Sequence, residues 1–178
     1  MVLWVLERIC MDSNEQQFYE LVEKIGVAMM TTRANDGQLR SRAMANQKRS
    51  AGANLWFVAA EGSAKLQDLA ADPHLNLSYY KDGSREWISV SGTAVVSQDR
   101  AKIKELYADD WKMWFKGDER QGDPVAGTAD DPKITLIGVT IQRASFFAVD
   151  KPAPAVWYEL AKGGVTGKTP HIGEQKTI

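Results

Sequence analysis

The sequence predicts a mainly β domain with flanking helices, in which six or seven mostly antiparallel strands close into a barrel. Three observations lead to this fold class. The chain has 178 residues, 44% of them hydrophobic and 25% charged, which suits a single globular domain with a sizeable core. Three strand patterns follow one another without an intervening helix, as in an antiparallel meander. The helical patterns fall between groups of strands, where they can cover the ends of a barrel.

An amphipathic helix begins the domain, after a segment that we expect to be a flexible extension over residues 1–12. The apolar run at residues 1–6 is too short for a secretory signal or a membrane-spanning helix. Ser13 and Gln16 have the spacing of a capping box. The apolar stripe of the helix consists of Phe18, Leu21, Val22 and Ile25, and Gly26 ends it.

A hairpin and a third strand follow this helix. Apolar and β-branched residues at 27–33 and 39–47 flank the turn sequence Asn35-Asp36-Gly37. Residues 54–59 then read as a third strand after a small, flexible turn. The three strands are close enough in sequence to pair as neighbours.

A short helix and two more strands come next. Ser63 is a suitable N-cap for a helix over residues 63–71, which Asp72-Pro73 ends. Its expected buried residues are Leu66, Leu69 and Ala70. Alternation predicts a fourth strand at residues 75–80 and a fifth at 87–96.

The last third of the chain predicts a long helix, a long strand and a tail. Ser97 or Asp99 can cap the helix, and residues 134–149 supply one long bent strand or two short ones. Residues 161–178 are Gly-rich, so we expect a flexible C-terminal tail beyond a domain over residues 13–160. The expected apolar stripe of the helix consists of Ile103, Leu106, Tyr107, Trp111 and Trp114.

Composition excludes several classes of function. The net charge of −1 gives no electrostatic reason to expect nucleic acid or an anionic membrane as a partner. Cys10 is the one cysteine, which rules out an internal disulfide or a cysteine-based zinc site and fits the cytoplasm. His74 and His171 lie far apart, and the motifs of serine hydrolases and P-loop proteins are absent. If the protein is an enzyme, a cofactor is expected to carry the chemistry.

Two short segments suggest a site for a phosphate group. On a strand, Arg40 and Arg42 share one face, where two guanidinium groups suit a planar anion. Taken alone, these residues are better explained by a solvated or charge-protected strand. Ser63 and Lys65 open the short helix, whose N-terminal N–H groups favour an anion. Taken together with Arg42, these groups could converge on one phosphate.

The assembled pattern resembles the pyridoxamine 5'-phosphate oxidase-like FMN-binding split β-barrels, and within them the general stress protein 26 group. The resemblance covers about residues 14–150. It rests on the order and spacing of Ser41-Arg42-Ala43-Met44, Leu55-Trp56-Phe57-Val58, Gly62-Ser63-Ala64-Lys65, Ala71-Asp72-Pro73, Trp87-Ile88-Ser89-Val90-Ser91-Gly92-Thr93-Ala94, Trp114-Phe115 and Asp131-Pro132-Lys133-Ile134-Thr135-Leu136-Ile137.

The resemblance implies a homodimer with two FMN molecules, or FAD as the alternative, in clefts between the subunits. It implies that Arg42, Ser63 and Lys65 hold the phosphate. The other positions that it places at the cofactor are the backbone at Ala43 and Met44 along the flavin ring, Gln47 near its polar edge, Val58 and Ala59 beside the ring or phosphate, and Trp87 on the fifth strand.

The sequence also departs from the oxidases of this family. Ala64 stands where they have a second basic residue, and Gln47 stands where they have a lysine. Each lost charged hydrogen bond weakens binding by about 1.5–3 kcal/mol, roughly tenfold or more in affinity. The basic and histidine residues of the oxidases' last strand are also missing after Trp157, which argues against oxidation of pyridoxamine phosphate.

Three functions are consistent with these residues. The first is a flavin-binding general stress protein with oxidoreductase activity on an unknown substrate. The second is a non-catalytic protein that stores or senses flavin. The third is a split barrel whose cleft binds another phosphorylated or aromatic ligand or a protein partner.

Overall fold

Seven strands and four helices have defined bounds in the computed structural model, which describes residues 12–115, 122–149, 155, 162 and 172–178. The strands are β1 (Val27–Arg33), β2 (Leu39–Ala45), β3 (Leu55–Ala60), β4 (His74–Lys81), β5 (Glu86–Ser97), β6 (Ile134–Val149) and β7 (Gly173–Thr177). The helices are α1 (Ser13–Ile25), α2 (Ala64–Ala71), α3 (Arg100–Leu106) and α4 (Trp111–Phe115). The predicted N-terminal extension lies outside the described residues, apart from Asp12.

The strands form one antiparallel sheet in the order β2-β1-β4-β5-β6-β3, and β7 pairs with the far half of β6. The two end strands, β2 and β3, meet where the backbone N–H of Gln47 donates to the backbone carbonyl of Trp56 at 2.8 Å. The sheet therefore closes on itself, as a barrel requires. The predicted mainly β, antiparallel fold is confirmed. The expected meander of the first three strands is wrong, because β3 pairs with the distant β6 and not with β2.

Apolar side chains pack on both sides of this sheet. Inside the barrel, strand residues pack with the apolar stripe of α1, of which Phe18, Leu21 and Val22 are buried. Outside it, α3 and α4 cover β3 and the first half of β6, so that Trp56 and Leu136 join a second core. Because both of its faces are covered, the first part of β6 is buried at six consecutive positions.

Strand β6 is long and bent at a bulge. The pairing of β5 with β6 shifts between Ser91 and Gly92, so that one residue of β6 is left over at this point. A Cβ atom on Gly92 would lie 2.4 Å from the Thr140 carbonyl oxygen. Gly92 therefore allows the close approach of the two strands. The bend lets β6 pair with β3 at one end and β7 at the other.

The helices differ from the prediction in three details. Asp12, and not Ser13, is the N-cap of α1, and the Gln16 side chain donates to Glu20 rather than back to the cap. The predicted long helix is two short ones. Trp114 is 77% exposed, and Phe115 is buried in its place. A new helix begins at Trp111, so Phe115 and not Trp114 faces the core.

The C-terminal segment contains a strand that we did not predict. Residues 173–177 form β7, and the Ile178 amide and carbonyl both hydrogen bond to Ala144. Lys176 donates to Gln17 on α1 at 2.8 Å. Residues 173–177 thus form a strand where a flexible tail over residues 161–178 is expected, because the free edge of β6 supplies a pairing partner within the same chain. Most of the remaining residues of that segment lie outside the described part of the chain.

Candidate functional site

Arg42 lies at the mouth of the barrel in a hydrogen-bonded cluster. Its Cα pairs with that of Met30, whose side chain is fully buried, so the Arg42 side chain starts on the inner face of β2. One guanidinium nitrogen donates to the Thr32 hydroxyl, and another lies 3.2 Å from the carboxylate of Asp68 on α2. The Arg42 side chain remains 22% exposed, so a ligand can still reach it.

Ser63 is the N-cap of α2, as predicted, but its side chain does not cap the helix. Its hydroxyl oxygen is buried and has no hydrogen-bond partner among the described residues. A buried hydroxyl without a partner is costly, so such groups call for an explanation. The first N–H groups of α2 also lack acceptors within the helix. The start of α2 therefore offers several donors and no acceptor side chain for them.

Lys65 lies in the first turn of α2 and adds a second positive charge near Arg42. Burial, and in second place the positive charge of Arg42, lower the pKa of the Lys65 ammonium below its ordinary value. No ion pair is found for Lys65 among the described residues. Arg42, Ser63 and Lys65, which the sequence predicted to act together, are therefore grouped around α2. We call these three residues the basic cluster.

Asp68 and Thr32 are part of this site but were not predicted. The Asp68 carboxylate accepts from Thr32 at 2.8 Å as well as from Arg42, and it is almost fully buried. On sequence alone, an acidic residue in a short helix is most often solvated. The one available signal was its position between the buried Leu66 and Leu69, whereas the predicted Ala70 is exposed.

Two predicted polar residues lie apart from the basic cluster. The Arg40 guanidinium points to solvent and pairs with Asp36 at 3.1 Å, so the second arginine of the strand does not join Arg42. The Gln47 side chain accepts from the Trp111 indole N–H at 2.8 Å. Gln47 also lines a pocket of about 300 Å³ between α1 and the β2–β3 connection, and no hydrogen bond joins it to the cluster.

The remaining strand residues occupy different faces of the sheet. Ala43 is exposed on the outer face of β2 and Met44 is buried. On β3, Ala59 is buried in the barrel core, whereas Val58 is half-buried against the second core. The flavin contacts expected of these four residues stay predictions.

Trp87 lies on the outer face of the sheet, away from the basic cluster. Its strand neighbours are Tyr80 on β4 and Phe147 on β6. Strand β5 is three strands away from β2 in either direction around the closed sheet, so the outward-facing Trp87 and Ala43 lie on opposite sides of the barrel. Within one chain, Trp87 is therefore no neighbour of the basic cluster.

The basic cluster suits a phosphate monoester chemically. A guanidinium, an ammonium, a hydroxyl and a helix N-terminus are the donors that phosphate oxygens accept from.

No grouping of three potential metal ligands occurs in the described parts of the chain. No helix in those same parts is both long and apolar enough to cross a membrane.

The chain matches the family model described as pyridoxamine 5'-phosphate oxidase like over residues 13–171. It is also 35% identical over 154 residues to Protein bli-3 of Neurospora crassa. That alignment covers 85% of this chain and 72% of the fungal protein.

Solved structures show the same fold. A protein of Jannaschia sp. CCS1, assigned as a general stress protein 26, has a TM-score of 0.73 and 26% identity, with 94% of this chain and 99% of that chain covered. A pyridoxamine 5'-phosphate oxidase-related, FMN binding protein of Nostoc punctiforme PCC 73102 has a TM-score of 0.64 and 14% identity, with 78% and 85% covered. This chain thus belongs to the pyridoxamine 5'-phosphate oxidase-like family.

Proposed function

We propose that this protein binds a flavin nucleotide, FMN in the first place with FAD as the alternative, and that the basic cluster holds its phosphate. The observation that carries the proposal is the buried Ser63 hydroxyl without a partner, at the start of a helix and beside Lys65. A phosphate oxygen would supply the missing acceptor. The FMN-binding relative from Nostoc supports the choice of ligand.

The predicted ring contacts complete the proposed site. Ala43 and Met44 would lie along the flavin, Val58 and Ala59 beside it, and Gln47 near its polar edge. Gln47 can still offer one side-chain N–H there, since its oxygen accepts from Trp111 and its nitrogen donates to the Ala45 carbonyl at 3.2 Å. Bound flavin would supply hydride or electron transfer at its ring.

We further propose that the protein is a homodimer that joins through the outer face of the sheet. Exposed apolar side chains occur there, with Met29 44% and Tyr80 61% exposed. Tyr80 continues the row that contains Trp87 and Phe147. A second copy is the occupant we favour, because its Trp87 could reach the flavin that the first copy's Trp87 cannot.

For the physiological role, we propose a general stress protein with flavin-dependent oxidoreductase activity on an unknown substrate. The alternative is flavin storage or sensing without turnover. One observation favours that alternative: Asp68, the carboxylate beside the basic cluster, is bound by Arg42 and Thr32 and so is not directed at a substrate. Turnover of bound flavin with chemical and nicotinamide reductants distinguishes the two roles.

The phosphate assignment is tested by comparing FMN with riboflavin, which lacks the phosphate. Replacing Arg42 or Lys65 by Ala removes a charged donor, so we expect FMN binding to weaken about tenfold or more. Riboflavin binding should change little. Arg40→Ala is the matched control, because Arg40 points to solvent two residues from Arg42. Equal losses for both ligands would refute the assignment.

A further inference from the structure

We propose that Asp68 is a positioning residue, which fixes the Arg42 guanidinium relative to the N-terminal end of α2 so that the basic cluster forms one phosphate site. The inference rests on the proposed flavin phosphate site and adds to it a residue that does not touch the ligand. Asp68 connects three elements: it lies on α2, and its carboxylate accepts hydrogen bonds from Thr32 on β1 and Arg42 on β2.

The geometry leaves Arg42 free to bind a ligand while it is held in place. Asp68 Oδ2 accepts from both Thr32 and Arg42, and Thr32 accepts from a second guanidinium nitrogen. These contacts use two of the five N–H groups of a guanidinium. Three remain for an anion. A guanidinium held at two points loses less conformational freedom when the anion binds, which favours affinity.

The negative charge of Asp68 also keeps two cations close together. Lys65 and Arg42 carry like charges and repel one another; burial first, and this repulsion second, lower the pKa of Lys65. Asp68 follows Lys65 by three residues, a spacing that places both on the same side of the helix. Its carboxylate therefore offsets the repulsion in the absence of ligand. Without this charge, we expect Arg42 to turn toward solvent and the cluster to open.

A purely structural ion pair offers a control. Glu86 is a buried carboxylate that pairs with Lys24 at 2.5 Å and also accepts from Ser84. It joins α1 to β5 and makes no contact with the basic cluster. Asp68→Asn and Glu86→Gln remove the same charge from similar burial, so their effects on stability should be alike. Their effects on ligand preference should differ.

The experiment measures FMN and riboflavin affinities of the full-length protein by fluorescence titration, for the wild type and each variant. We expect Asp68→Asn to reduce the preference for FMN over riboflavin about tenfold, and Glu86→Gln to leave that preference unchanged. Arg42→Ala combined with Asp68→Asn should be no worse than Arg42→Ala alone, because Asp68 acts through Arg42.

Other outcomes separate failure of this inference from failure of the proposed function. If wild type prefers FMN and Arg42→Ala removes the preference, but Asp68→Asn keeps it, the positioning role is wrong and the phosphate site stands. A wild type without preference would overturn both. Should Asp68→Asn fail to fold, Asp68→Glu decides: it keeps the charge but moves the carboxylate that holds Arg42, and an unchanged preference would overturn the role.

Discussion

Replacing Ser63 by Ala should make the ligand-free protein more stable and make it bind FMN more weakly. A serine N-cap changed to Ala ordinarily costs about 0.5–2 kcal/mol, because a cap hydrogen bond is lost. Ser63 makes no such bond, so that cost does not arise. Its buried hydroxyl instead lacks a partner, and removing an unsatisfied group of this kind recovers about 1 kcal/mol or more of the free energy of unfolding.

The two effects have opposite signs and can be measured separately. One kcal/mol corresponds to a rise of about 2–4 °C in Tm for a protein of this size, measured by circular dichroism on the ligand-free protein. Loss of a hydrogen bond to a charged phosphate costs about 1.5–3 kcal/mol, or roughly tenfold to a hundredfold in Kd. A fluorescence titration with FMN measures that loss.

Asp99 provides the matched control at the start of α3. Its carboxylate does cap the helix, since it accepts from the amides of Ala101 and Lys102. Asp99→Ala should therefore lower Tm and leave FMN affinity unchanged. If Ser63→Ala behaves like Asp99→Ala in both assays, the reasoning about the Ser63 hydroxyl is refuted.

Three further predictions concern stability and assembly. Burial alone would raise the pKa of Glu86, but hydrogen bonds from Lys24 and Ser84 outweigh it and leave the pKa low. The Glu86 carboxylate therefore stabilises the fold above its unfolded pKa of about 4.3, and this contribution is lost as pH falls. In urea titrations, the free energy of unfolding should fall less between pH 7 and pH 3.5 for Glu86→Gln than for wild type. Gly92→Ala should lower the free energy of unfolding by about 1–3 kcal/mol in chemical denaturation, because the added Cβ meets the Thr140 carbonyl. Gly83 has open space around it, so Gly83→Ala should cost far less. Similar losses for both variants would refute the close approach at Gly92. Tyr80→Glu should convert the proposed dimer to monomer in light scattering, and an intact dimer would place the interface elsewhere.

The strands could be predicted from sequence because local pattern and tertiary environment agree there. Strand β4 alternates apolar and polar residues and is buried at alternate positions, Leu75, Leu77 and Tyr79. The turn at Asp36-Gly37 has the residues that its backbone needs, with Gly37 at a φ of 81°. In such segments, local residue preferences and tertiary packing favour the same conformation.

The break between α3 and α4 could not be predicted, because no glycine or proline marks it. The chain leaves the helix at Tyr107, whose ψ is 136°, although the residues that follow could have continued the apolar stripe. Packing against β3 and β6 decides the outcome, since Trp111 and Phe115 both reach the second core. Strand β7 was missed for a similar reason: its pairing with β6 depends on a distant edge, and its own residues are mostly polar.

The three residues of the basic cluster could be predicted from sequence, but Asp68 beside them could not. Arg42, Ser63 and Lys65 carry charge or a hydroxyl at positions where strand alternation and helix capping give a clear expectation. Asp68 depends on contacts with residues 26 and 36 positions away in the sequence. No local pattern encodes those contacts, so the residue that holds the cluster together became visible only in the folded chain.

A visible absorption spectrum of the purified protein tests most directly whether this barrel binds a flavin. The spectrum is recorded as isolated, after addition of FMN and gel filtration, and after reduction with dithionite. We expect oxidised flavin bands that elute with the protein and bleach on reduction. A colourless protein that leaves added FMN in the free fractions would contradict flavin binding, and would leave the basic cluster as a site for a different phosphorylated ligand.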